Sequence, residues 1–151
     1  MKVITANKIT AAHWQLFLRA DPSRKLVTAY LKNGFVFELR QSPRLLATLV
    51  LLPVSAFQLE IKNLAVSPQF ENRGLATSLL NFAKEYAHQH NYHELIIGTG
   101  STSFKQLYLY QKVGFRPVAI RSDFFTDNYV KPIFENHLRL RDMIVLKTNI
   151  D

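Results

Sequence analysis

The strongest constraint on the fold lies in the middle of the chain, where the apolar period changes twice within 45 residues. Residues 57–66 (Phe-Gln-Leu-Glu-Ile-Lys-Asn-Leu-Ala-Val) read as a strand. Across residues 72–90, Leu75, Leu79, Phe82, Ala83, Tyr86 and Ala87 fall on one stripe at helical spacing, the pattern of a helix packed on a sheet. Residues 94–99 (Glu-Leu-Ile-Ile-Gly-Thr) then form a short buried strand. A strand, helix, strand unit implies a right-handed crossover and a parallel strand pair.

The flanking segments imply antiparallel neighbours. Residues 2–6 read as a strand, 9–20 and 23–32 as helices, and 35–40 and 45–54 as strands joined at the turn Gln41-Ser42-Pro43-Arg44. Downstream come a helix over 103–113 closed by Gly114, a strand over 115–121, an irregular aromatic stretch over 122–136, and a last strand over about 138–147. The expected fold is therefore α/β (α+β): one domain over 1–151, with a mixed, mostly antiparallel central sheet containing one parallel pair and flanked by helices. A chain of 151 residues suffices to bury such a core without staples or metals.

Composition removes several function classes. Cysteine is absent, so there is no disulfide, thiolate metal site or cysteine-based covalent intermediate. The most apolar run, residues 45–57, falls short of the roughly 20 residues of a membrane helix. A soluble protein without an export signal is expected, and hence a cytoplasmic one. Nineteen Lys+Arg against eleven Asp+Glu give a net charge of +8, but the basic residues are scattered. That distribution favours a solvated surface and a pocket for a phosphorylated ligand over nucleic-acid binding. His88, His90 and His93 diverge on a helix and lack a completing carboxylate, so no metal site is expected.

The stretch from Glu60 to Leu80 carries the chemistry. A strand runs into a tight loop, and a helix begins near Gly74. The first amides of a helix lack internal partners and lie at the positive end of its dipole, which suits a pyrophosphate. Gly74 and Ala76 let phosphates approach the backbone. A dinucleotide fingerprint or a Walker loop would need further glycines or Gly-Lys-Ser/Thr, and neither is present.

As a whole, Leu64-Ala65-Val66 followed by Glu71-Asn72-Arg73-Gly74-Leu75-Ala76 resembles the cofactor motif of the GNAT N-acetyltransferase superfamily, departing from it at Glu71. Leu109-Tyr110-Gln111-Lys112-Val113-Gly114-Phe115 resembles the family's second motif, whose usual upstream Asn would fall at Ser103. The resemblance spans nearly the entire chain. It implies acetyl-CoA as co-substrate, held by Leu64, Ala65, Val66, Asn72, Arg73, Gly74, Leu75, Ala76, Thr77 and Ser103. It also implies direct acetyl transfer to a primary amine on a small molecule or peptide, without a covalent enzyme intermediate. A non-catalytic acetyl-CoA-binding or nucleic-acid-binding module is the rival reading, and a homodimer stays open.

A lysine-like amine is only about one part in a thousand neutral near pH 7.4, so a base is useful. The histone acetyltransferase branch of the family places a catalytic Glu a few residues before the end of the corresponding strand. This makes Glu60 the candidate base, against the alternative of a strand carboxylate paired with Lys62. Other branches carry the base on the next strand, where this chain has Gly98. An N–H within 64–66 is the implied oxyanion donor. Tyr110 is the candidate general acid, whereas Tyr108 is expected in the core, and His13 and Trp14 could border the acceptor pocket. In the family fold the 122–136 link reaches the acceptor side. It is therefore expected to wall that site, with Asp123, Asp127 and Glu135 favouring a cationic amine.

Overall fold

A computed structural model describes residues 2–151. The elements run β1 (Ile4–Thr5), α1 (Ala11–Ala20), α2 (Arg24–Leu31), β2 (Phe35–Gln41), β3 (Arg44–Pro53), β4 (Gln58–Val66), a 3-10 turn (Pro68–Phe70), α3 (Leu75–Gln89), β5 (Glu94–Gly100), α4 (Phe104–Lys112), β6 (Arg116–Arg121), α5 (Phe124–Asn128), β7 (Phe134–Glu135), β8 (Leu138–Arg139) and β9 (Met143–Asn149). Seven strands form one sheet in the order β1-β2-β3-β4-β5-β9-β6, and β4–β5 is its parallel pair. The mixed, mostly antiparallel architecture and the parallel pair are as expected from the sequence.

Helix α3 covers one face. Leu79, Leu80, Ala83 and Ala87 are fully buried against Leu39, Leu49, Leu51, Leu59 and Leu95. Each buried leucine contributes roughly 1.5–3 kcal/mol by apolar transfer. Helices α1 and α2 cover the other face, where Phe17, Val27, Tyr30 and Val50 form a smaller cluster.

The Tyr110–Phe115 motif has a local physical reason. The Gly114 N–H donates to Gln111 O at 3.0 Å and the Phe115 N–H to Tyr110 O at 2.9 Å, the paired bonds of a Schellman cap. Gly114 takes φ +110°, and Phe115, 1% exposed, turns back beside the Tyr110 ring with centroids 6.4 Å apart. Lys84 Nζ donates to Val113 O, satisfying another of the last carbonyls.

The region after β6 differs from expectation. The stretch read as irregular holds α5 and half of a hairpin, and the strand expected from 138 begins at Met143. Asn136 and His137, both at positive φ (53° and 64°), make the two-residue β7–β8 turn. Residues 140–142 leave the sheet because their backbone groups serve other segments. The Leu140 N–H donates to Ile133 O, while Arg141 O and Asp142 O accept from the amides of Phe125 and Ser101.

Candidate active site

The site begins with a bulge. In the β3–β4 ladder Val50 pairs with Asn63 and Leu51 with Ile61, so Lys62 is an extra residue in β4. A bulge bends its strand and raises the local twist. The parallel ladder between β4 and β5 ends at that point, at Ile61↔Ile97, although β4 continues to Val66 and β5 to Gly100. Beyond it the two strands part, leaving the β5-facing edge of residues 62–66 without a strand partner.

Two cavities meet at the parting. The first, of about 440 Å³, lies between the β4–α3 connection and α4. Leu64, Val66, Phe70, Glu71, Asn72, Gly74, Leu75, Ala76 and Thr77 form one wall, and Lys105, Gln106, Tyr108, Leu109 and Tyr110 the other. Gly74 is the N-cap of α3 at φ +79° and Asn72 sits at φ 61°. The first intrahelical bond is Ser78 N–H to Gly74 O at 3.0 Å. The amides of Leu75, Ala76 and Thr77 thus fall among the helix's unpartnered donors at its positive end. Nothing lies within 4 Å of where a Gly74 Cβ would stand.

The second cavity, of about 410 Å³, passes through the parting to the end of α1. Arg19, Asp21, Lys62, Asn63, Thr99, Ser103 and Met143 line it, with Phe125, Tyr129, Ile133, Phe134 and Glu135 from the segment after β6. Leu64, Gln106 and Tyr110 belong to both cavities. Tyr110 is 6% exposed, and burial pushes its phenol well above the ordinary value. Its proton is therefore retained across the neutral range.

Eight of the residues expected from sequence come together in the first cavity: Leu64, Val66, Asn72, Gly74, Leu75, Ala76, Thr77 and Tyr110. Ala65 and Arg73 lie outside its lining, and the Arg73 guanidinium stacks on Phe70 at 5.2 Å. Ser103 lines the second cavity instead, where its Oγ donates to Glu135 Oε2 at 2.6 Å. Glu60 is on the α1–α2 side in a third hollow of about 190 Å³, with Lys62 Nζ 3.6 Å away. That hollow shares Asp21, Ile61, Lys62, Gly98, Tyr129 and Met143 with the second cavity.

Several expectations need correction. Tyr108 is not a core residue: it is 66% exposed and lines the first cavity. His13 and Trp14 border neither main cavity. His13 is fully buried, accepting the Thr10 N–H at Nδ1 (3.1 Å) and meeting Glu38 Oε1 through Nε2 (3.0 Å). Burial pushes the Glu38 carboxyl up, but hydrogen bonds from Arg40 and His13 outweigh it and hold the group below its usual range. Of Asp123, Asp127 and Glu135, only Glu135 lines the second cavity.

The sequence reading missed Phe70, Lys105 and Gln106 in the first cavity, and Asp21 and Asn63 in the second. The helical stripe of α4 could have yielded Gln106, which lies four residues before Tyr110. No local pattern marks Asp21, whose Oδ1 accepts from Tyr129 Oη, 108 positions away, at 2.7 Å. Glu71, the departure from the motif, is held by Arg19 Nη2 at 2.7 Å.

Among the described residues no group of three or more His, Cys, Asp or Glu could hold a metal ion, and no helix is long and apolar enough to cross a membrane. Residues 7–115 match the model of the acetyltransferase (GNAT) family. An uncharacterised N-acetyltransferase of Bacillus subtilis (strain 168), YvbK, is 39% identical over 133 residues, covering 88% of this chain and 86% of that protein. A GNAT family acetyltransferase from Elizabethkingia anophelis, solved with acetyl-CoA bound, superposes with a TM-score of 0.95 at 39% identity. The match covers 99% of this chain and 97% of that one. A Bacillus subtilis acetyltransferase in complex with CoA gives a TM-score of 0.93 at 35% identity, over 99% and 98% of the two chains. With its motifs on the walls of two cavities that meet where the parallel strands part, this chain belongs to the GNAT acetyltransferase family.

Proposed function

We propose that the protein transfers an acetyl group directly from acetyl-CoA to a primary amine, as one catalytic unit over residues 1–151 in the cytoplasm. The observation that carries this reading is the position of Tyr110, shared by two cavities, one lined by the start of α3 and the other by the end of α1. A long thioester fits the first cavity and an amine the second, so a linear approach needs no covalent relay through the protein. The relatives with acetyl-CoA and CoA bound support the same co-substrate.

The chain's own groups divide the work. The amides of residues 75–77 and the loop through Asn72 and Gly74 hold the pyrophosphate. The unpaired edge of Leu64–Val66 supplies an N–H to the acyl oxygen, where negative charge develops; such donors are commonly worth about 3–4 kcal/mol. The amine nitrogen attacks the thioester carbon from the second cavity. Glu60 takes up the amine's proton through intervening water, since its hollow shares walls with that cavity. As the C–S bond breaks, Tyr110 Oη gives its proton to the departing sulfur and regains one as the nitrogen of the new amide sheds its surplus proton.

The test is steady-state CoA release over a panel of amines, comparing the parent with Tyr110→Phe. The variant keeps the ring's packing against Phe115, so kcat is expected to fall about tenfold or more while the KM for acetyl-CoA changes little. An unchanged kcat, with chemistry limiting the rate, would return Tyr110 to a packing role. Absence of turnover with every amine would leave the non-catalytic binding module.

A further inference from the structure

The second cavity carries an imbalance of charge that is opposite in sign to the chain as a whole. Four charged side chains line it: Arg19, Lys62, Asp21 and Glu135. Both cations are already paired with carboxylates outside that lining, Arg19 with Glu71 at 2.7 Å and Lys62 with Glu60 at 3.6 Å. The two carboxylates are not paired. Asp21 accepts from Tyr129 Oη (2.7 Å), Tyr30 Oη (3.2 Å) and the Ser23 N–H (3.2 Å), and Glu135 accepts from Ser103 Oγ (2.6 Å). All four donors are neutral. Among the described residues no cation stands within ion-pair distance of either carboxylate. In a chain of net charge +8, the cavity is left with two uncompensated negative charges.

A second observation comes from Asn63, on the same wall and 4% exposed. Its Nδ2 donates to Tyr30 Oη at 2.9 Å and to Phe17 O at 3.0 Å, which leaves Oδ1 buried with no donor. The chain of bonds runs Asn63 to Tyr30 to Asp21, with Tyr129 donating to Asp21 from the other side. Every donor in this network is spent and the free capacity consists of acceptors alone. A buried acceptor without a donor is costly, and so is a carboxylate without a counter-charge. An ammonium has three donors and no acceptor, and a guanidinium five, so either is complementary to such a place. The rings of Phe125 and Tyr129 on the same wall suit a cation further.

We infer that the acceptor is an amine bearing a second cationic nitrogen, held at a subsite formed by Asp21, Asn63 and the Tyr129 hydroxyl while the first nitrogen reacts beside Tyr110. This deepens the acetyltransferase reading and rests on it. The subsite selects by binding rather than by chemistry: it acts on the KM of the acceptor and leaves the acyl-transfer step to the groups around Tyr110.

Three probes of matched length test the inference: cadaverine, n-pentylamine and δ-aminovalerate, whose far ends are cationic, neutral and anionic. With the parent protein, kcat/KM is expected to be at least about tenfold higher for cadaverine than for n-pentylamine, and lowest for δ-aminovalerate. Asp21→Asn keeps an oxygen for the tyrosines but removes the charge. It should raise the KM of cadaverine to that of n-pentylamine while kcat stays within about twofold. Equal or better use of n-pentylamine by the parent overturns the inference whether or not the variant folds, as does an undiminished preference in a folded variant. If no amine is acetylated although acetyl-CoA binds, it is the acetyltransferase reading that fails. Calorimetry of cadaverine against n-pentylamine on the CoA-loaded parent then decides the subsite by the same tenfold margin.

Discussion

Gly74 stands at φ +79° with open space where a side chain would begin. Gly74→Val puts a β-branched residue in the left-handed region, costing roughly 1–2 kcal/mol, which a packed sheet of this size tolerates. Its methyls would also occupy the space in front of the amides of residues 75–77. Calorimetry should therefore show acetyl-CoA affinity reduced about tenfold or more in a variant whose circular dichroism stays native. Unchanged affinity would place the phosphates elsewhere. At Glu60 the expectation concerns pH. Glu60→Gln keeps the shape and loses the proton acceptor, so the loss of rate should be largest near neutral pH. It should shrink toward pH 10, where more of the amine is already neutral. A pH–rate profile superimposable on the parent's would mean that the proton leaves by another route.

At the scale of elements, legibility followed the range of the determining contacts. Helix α3 and its flanking strands could be read because their apolar period is local and their burial uniform. The end of α4 was legible for the same reason: Gly114 and Phe115 form a cap with groups three to five residues away. The segment between β6 and β9 was opaque. Its helix has five residues, its hairpin turns on Asn136-His137 without a glycine, and residues 140–142 are drawn off the sheet by partners elsewhere. Contacts across 32 positions (Ser103 with Glu135) and 108 positions (Asp21 with Tyr129) decide which carboxylates reach the cavity. Nothing in local spacing separates Glu135 from Asp123 or Asp127. The Tyr129–Asp21 bond is the tie between this segment and α1. A hydrogen bond to a charged group is worth about 1.5–3 kcal/mol, so Tyr129→Phe should speed amide exchange across 122–136 by about tenfold or more. Protection in β4 and β5 should stay intact, and uniform protection in the variant would show that other contacts hold the segment.

For the molecule as a whole, three tyrosines around the parting share one electrostatic consequence. Burial, the leading cause in each case, raises the phenols of Tyr30, Tyr110 and Tyr129, and Asp21 raises the first and last further. Each holds its proton more tightly folded than unfolded. The associated stability is therefore fully present below the ordinary phenol value near pH 10 and declines as pH rises beyond it. Thermal melts should lose more than about 5 °C between pH 9 and pH 11, and Tyr110→Phe should lessen the slope. A melting temperature flat across that interval would mean that these phenols titrate alike in both states.

The parting of β4 and β5 also separates two kinds of wall within one fold. The walls of the first cavity are built from the β4–α3 connection and α4, which are rooted in the centre of the sheet. Much of the second cavity's wall is one run of chain, residues 122–142, which leaves from β6 and returns to β9, strands that already pair with each other at the sheet's edge. That run is fastened to the β5–α4 turn by Ser103 Oγ to Glu135 Oε2, Asn136 Nδ2 to Thr102 O and Ser101 N–H to Asp142 O, so a change of sequence that keeps these ties can reshape the second cavity alone. Grafting that stretch from a relative should move acceptor preference between scaffolds while the donor stays the same.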